Sequence, residues 1–111
     1  MSSPAVAPNP ETPVWIHGGT LYDGSGAPGV AADVLIRDGR IASIHPAMPS
    51  TPPDPAVLKD ALHIDATGLA VAPGFIDIKT HSDFTLPINP QAESKVRQGV
   101  TTEIIGHCGF S

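Results

Sequence analysis

The residues of this chain best suited to chemistry lie where two short apolar runs end. Lys79 and His81 close the run FIDIKTH, and Cys108 sits in GHCGFS, just after the run TTEII. An imidazole nitrogen and a thiolate sulfur are good ligands for zinc, and zinc lowers a thiol pKa until the thiolate is the resident form. Strand residues alternate faces, so a strand running through residue 81 puts Asp77, Lys79 and His81 on one side and Ile76, Ile78 and Thr80 on the other. The isoleucine side is a surface for covering helices. The opposite side then faces the middle of a barrel, and in such barrels active sites sit at the C-terminal strand ends. Cys108, past the neighbouring strand, projects from the same rim, and Gly106 and Gly109 allow a tight backbone path around it. Two candidate ligands do not by themselves make a site.

Lys79 is costly inside a barrel unless it is paired. Asp77 on the same face is its expected partner, and an ion pair and a catalytic role for Lys79 stand equally open. His107 is read as a residue behind the ligands or in a substrate loop, and Asp83 as a solvated loop carboxylate. His17, His45 and His63 fall among β-type runs, where surface or turn positions are expected.

The elements that must position these residues come in two kinds. Residues 1–13 carry four prolines among small and polar residues, a mixture that resists helix and ladder alike, and are expected to form a disordered arm. A small β-domain is expected over 14–72, with the runs VWIHGGTLY, ADVLIRDG, RIASIHP, HIDA and LAVA separated by turns. Asp38-Gly39 marks a hairpin, because Gly accepts positive φ. Residues 46–57, with five prolines, are read as a surface loop. Pro73-Gly74 is the expected boundary. Beyond it the sequence predicts a strand over 75–79, a polar loop, a helix over 91–98 opened by Asn89-Pro90 and closed by Gly99, and a second strand in TTEIIG. Strand, helix and strand in that order imply a parallel pair with a crossover. A two-stranded parallel sheet leaves faces uncovered that parallel sheets normally bury, so residues 73–111 read as the start of an incomplete fold whose remainder is missing.

The net charge of −5 comes without any basic run, which argues against nucleic acid or an anionic membrane as partner. No apolar run reaches the ~18 residues of a membrane span and no leader-like N-terminus is present, so the expected location is cytoplasmic. The single Cys excludes an internal disulfide.

The order of these segments, a β-unit with a DGR hairpin, then DATGLAVAPGFID, then a strand ending in His, resembles the amidohydrolase superfamily. The stretch SDFTLPINPQAESKVRQGVTTEIIGHCGFS resembles the N-acyl-D-amino-acid deacylase (D-aminoacylase) branch in particular. The resemblance covers roughly residues 14–111. It implies an α/β protein in which a small N-terminal β-sandwich-like unit precedes the first βαβ unit of a truncated TIM-type (β/α) barrel. It further implies a hydrolase that uses zinc to cleave the amide of a small-molecule N-acylated D-amino acid, with Cys108 and His81 as metal ligands and the remaining ligands and general base beyond Ser111. The superfamily pattern His-x-His is here Lys79-Thr80-His81. That departure implies one zinc per chain, with the Lys79 ammonium standing where a second metal position would lose a ligand. The alternatives are a cyclic-amide hydrolase of the dihydroorotase or hydantoinase kind, and a non-catalytic fragment or homologue. The 111 residues alone are expected to be inactive.

Overall fold

Asp38 and Gly39 both adopt positive φ, 52° and 70°, the mirror-image turn whose twist matches that of its flanking strands. They join β3 (Val30–Arg37) to β4 (Arg40–Pro46), antiparallel partners with a bulge opposite Leu35 and Ile36. The computed structural model describes residues 9–48 and 52–107. It divides into two compact units, Met1–Ala72 and Pro73–Ser111.

In the first unit β3 is central. Along its other edge lie β1 (Val14–His17) and β2 (Thr20–Leu21), both antiparallel to it. Outside these run β5 (Leu62–Asp65), parallel to β1, and β6 (Ala70–Val71), parallel to β2. The run VWIHGGTLY is therefore two strands, broken at Gly18-Gly19. Gly18 has φ 77° and donates its N–H to Asp33 Oδ1 at 2.8 Å. A Cβ on Gly19 would stand 2.6 Å from Val71 Cγ2, so only glycine lets the bent strand pack there. Trp15, Ala32, Val34, Leu35 and Ala66 are buried, and the Trp15 ring meets His45 edge-on at 5.5 Å. His17 and His63 lie within β1 and β5, not in turns; their rings stand edge-on at 6.0 Å, and His63 Nε2 is 2.8 Å from Leu58 O.

Two expectations change in this unit. The proline-rich loop expected over 46–57 already contains the start of a short helix, α1 (Pro55–Lys59). Asp54 caps it by accepting from Ala56 N, and Pro55 occupies the first turn, where its missing N–H costs nothing. Of the expected arm, residues 9–12 form a turn in which Thr12 N donates to Asn9 O, and Pro13 O accepts from Leu62 N. The remainder of the arm lies outside the described residues.

The second unit is β7 (Phe75–Asp77), α2 (Ser82–Thr85), α3 (Glu93–Val96) and β8 (Val100–Glu103), with β7 and β8 parallel. The chain is thus mixed α/β. Both strands are shorter than the sequence suggests, and two helical turns replace the loop and the longer helix. Where a loop was expected, α2 forms, with Leu86 N on Ser82 O. The helix expected over 91–98 begins only at Glu93, because Ala92 is left-handed at φ 45° and breaks the run that Asn89-Pro90 opens. Gly99, at φ 86°, ends it as anticipated. No helix among the described residues is long and apolar enough to cross a membrane.

Candidate functional site

Parallel pairing brings the C-terminal ends of β7 and β8 to the same edge of the second unit. Asp77 stands opposite Glu103 in register, and Ile104 N donates to Asp77 O at 2.8 Å, tying the two ends together. The segment carrying Lys79 and His81 leaves from one of these ends and the segment leading to Cys108 from the other.

Strand alternation does not continue through residue 81. Asp77 Oδ1 accepts from Lys79 N at 3.1 Å, a local turn that competes with the ladder and ends the strand. Asp77, Lys79 and His81 therefore do not share one strand face. Ile76 and Ile78, expected under covering helices, are 62% and 60% exposed, while Thr80 is buried with its Oγ1 2.8 Å from the buried Ser82 Oγ. Lys79 and His81 are exposed beyond the end of β7, and His81 occupies the position before α2, with its carbonyl accepting from Phe84 N at 3.0 Å. His107 is also exposed. Cys108 lies outside the described residues.

The charge partner of Asp77 is Lys95 of α3, not Lys79. Lys95 Nζ stands 2.5 Å from Asp77 Oδ2 and 3.5 Å from Glu103 Oε1. The Lys95 hydrogen bond first, and the Lys79 N–H second, hold the Asp77 carboxyl below the ordinary carboxylate value, while burial opposes them. The same bond to Asp77 raises Lys95. Glu103 Oε1 is buried without a hydrogen-bond partner, so the ammonium meets it as a charge. Asp83 is half-buried, with Oδ1 also unpartnered, rather than a solvated loop carboxylate.

Lys95 and Glu103 join this network only through the fold. Glu103 did carry a signal, since a carboxylate inside an otherwise uncharged strand run needs a cation nearby. Beside α3 an open cavity of about 450 Å³ is lined by Thr80, Ser82, Leu86, Asn89, Ser94 and Lys95 among others.

Among the described residues no three His, Cys, Asp or Glu side chains converge on a metal position. Of the expected ligands His81 is the one among the described residues, and its fit to zinc rests on its donor chemistry. Imidazole with a thiolate is a borderline-soft nitrogen and sulfur set that suits this ion.

No family model matches the chain. It is 44% identical over 96 residues to N-acyl-D-aspartate deacylase of Alcaligenes xylosoxydans xylosoxydans, a match covering 86% of this chain and 18% of that protein. It is 41% identical, with a TM-score of 0.72, to crystalline N-acyl-D-glutamate deacylase from Bordetella bronchiseptica complexed with zinc and a phosphonate mimic of the tetrahedral intermediate. That match covers 88% of this chain and 19% of the other. A D-aminoacylase studied for its binuclear metal centre, with one-metal activation and second-metal attenuation, is 40% identical at a TM-score of 0.70, over 86% of this chain and 19% of that one. A dihydroorotase from Solibacter usitatus matches less of the chain, 62%, at 42% identity. The chain therefore spans under a fifth of the length of these deacylases.

Proposed function

We propose that this chain, a homologue of the N-terminal region of the N-acyl-D-amino-acid deacylase branch of the amidohydrolases, supplies the first two strand ends of a zinc-dependent site that hydrolyses the amide of N-acyl-D-amino acids. In this reading the first unit is a β-sandwich-like partner of the barrel, and β7, α3 and β8 are the barrel's first βαβ unit. The observation that supports it is the parallel register of Asp77 with Glu103, which sets next to each other the strand ends that precede His81 and Cys108 in the sequence.

His81 offers an imidazole nitrogen and Cys108 a thiolate. Zinc bound there supplies Lewis acidity toward the amide carbonyl and water activation near neutral pH. Lys79, exposed two residues before His81, carries positive charge where the superfamily pattern has its first histidine. It offsets the charge of the thiolate and of a carboxylate substrate, and a protonated amine takes no metal. One zinc per chain follows from this reading. The substrate is a small anionic molecule; the net charge of −5 without a basic run offers nothing to nucleic acid or to an anionic membrane.

The test uses the full-length polypeptide, assayed on paired N-acetyl-D- and N-acetyl-L-amino acids with acidic and apolar side chains, and on dihydroorotate. D-selective release of acetate with one zinc per chain is expected. Cys108→Ser and His81→Ala should each lower zinc affinity ~10-fold or more. Ring opening of dihydroorotate without deacylation overturns the reading in favour of a cyclic-amide hydrolase, and a zinc-free protein inert to both overturns it in favour of a non-catalytic homologue.

A further inference from the structure

We propose that Lys95 is a positioning residue, an ammonium clamp that sets the spacing and direction of the two strand ends from which the His81 and Cys108 segments depart. The proposal rests on the metal-site reading above and adds to it a residue well removed in sequence from both ligands.

Asp77 and Glu103 are cross-strand partners, so two carboxylates face each other where β7 and β8 end. Like charges placed directly opposite repel, and Glu103 Oε1 is buried without a hydrogen bond. Lys95 Nζ lies 2.5 Å from Asp77 Oδ2 and 3.5 Å from Glu103 Oε1, and so converts a repulsive pair into a three-membered bridge between α3 and both strands.

The bridge also reaches the chain beyond the strands. With Oδ2 of Asp77 fixed by Lys95, Oδ1 of the same carboxylate is aimed at Lys79 N, 3.1 Å away, and this bond turns the backbone toward His81. The carbonyl of Asp77 meanwhile receives Ile104 N at 2.8 Å and so fixes the start of the path to Cys108. One ammonium therefore governs the orientation of a carboxylate whose residue contacts both departing segments. Groups of this kind, which orient the residues that hold a metal, commonly change affinity when removed although they never touch the ion.

Zinc affinity of the full-length polypeptide by chelator competition tests this, together with the absorption spectrum of the cobalt-substituted protein, where a thiolate ligand gives a charge-transfer band. Lys95→Met keeps the length and removes the charge. It is expected to lose ~10-fold or more in zinc affinity and to shift the cobalt spectrum, while Lys95→Arg recovers most of both. Because Lys95→Met leaves a buried carboxylate exposed to its neighbour and can compromise folding, Asp77→Asn serves as the second variant. It keeps the shape and the acceptor for Lys79 N, weakens the clamp, and is expected to lose several-fold in affinity. Folded Lys95→Met or Asp77→Asn protein with wild-type affinity and spectrum overturns the clamp alone. Wild-type protein that binds no zinc, or binds cobalt without a thiolate band, overturns the underlying site reading and the clamp with it.

Discussion

Lys79 is the residue at which this chain parts from the pattern it resembles, and a single substitution tests what that means. Replacing Lys79 by His exchanges an amine for an imidazole, the commoner metal ligand, at the edge that already carries His81. Lys79→His is expected to take up a second, weaker ion per chain, read by metal analysis across a zinc titration, whereas wild-type protein stays at one. Uptake that does not change places the second position elsewhere. The charge network behind this edge has its own pH signature. Asp77 titrates below its ordinary 3.8, so its contribution to stability is complete above that value and is lost as pH falls through the depressed one. Lys95 titrates above its ordinary 10.5, so its contribution is complete below that value and is lost as pH rises through the raised one. The bridge should therefore hold across the whole neutral range, with a side-chain carboxyl carbon signal for Asp77 whose midpoint lies below the ordinary 3.8. In Lys95→Met that midpoint should rise toward the ordinary value, and an unmoved midpoint would mean that the Lys79 N–H alone depresses it.

Between residues and fold, the glycines at the element ends decide where strands stop and how closely they approach. The β7–β8 pair carries a register shift between Phe75 and Ile76 that leaves Thr101 as the extra residue, and its side chain fills the space a Cβ on Gly74 would need. Gly74→Ala is expected to cost about 1–3 kcal/mol through overpacking against the Thr101 side chain at the bulge, measured as a fall in the denaturant midpoint of the full-length polypeptide. Gly19→Ala, pressed against Val71 and Ala66, should cost a similar amount. The hairpin at Asp38-Gly39 and the helix exit at Gly99 were legible in the sequence because each needs a backbone conformation that few residue types supply. The strand ends were not. Periodicity in FIDIKTH says where a strand can run, but the side chain of Asp77 bonds the backbone two residues on and stops it, and nothing in the alternation announces that competition. Lys95 was equally illegible, since its partners are 18 residues upstream at Asp77 and on β8 at Glu103, and only the parallel pairing brings them together. The candidate ligands were found by residue type and motif, while the residues that position them required the fold.

On the scale of the whole molecule the deciding fact is how little apolar surface is covered. Among the described residues five hydrophobic residues are buried, all of them in the first unit, and no side chain falls under 2% exposure. In the second unit Phe75, Ile76, Ile78, Ile104 and Ile105 stand between 48% and 68% exposed along the parallel pair and its strand ends. Parallel strands persist when both faces are covered, and burial on this scale contributes too little to offset the entropy of ordering the chain. The 111-residue polypeptide taken alone is thus expected to bind a hydrophobic dye strongly and to unfold over a broad range of temperature. Its amides in 75–77 and 100–103 should exchange far faster than those of β3, where the buried residues gather. The same amides in the full-length polypeptide should be protected to the level of global unfolding if these strands are built into a barrel. A sharp, monomeric, two-state transition of the isolated chain, with protection equal in both units, would contradict this. It would mean that the uncovered isoleucines are a tolerated surface and not a face awaiting cover.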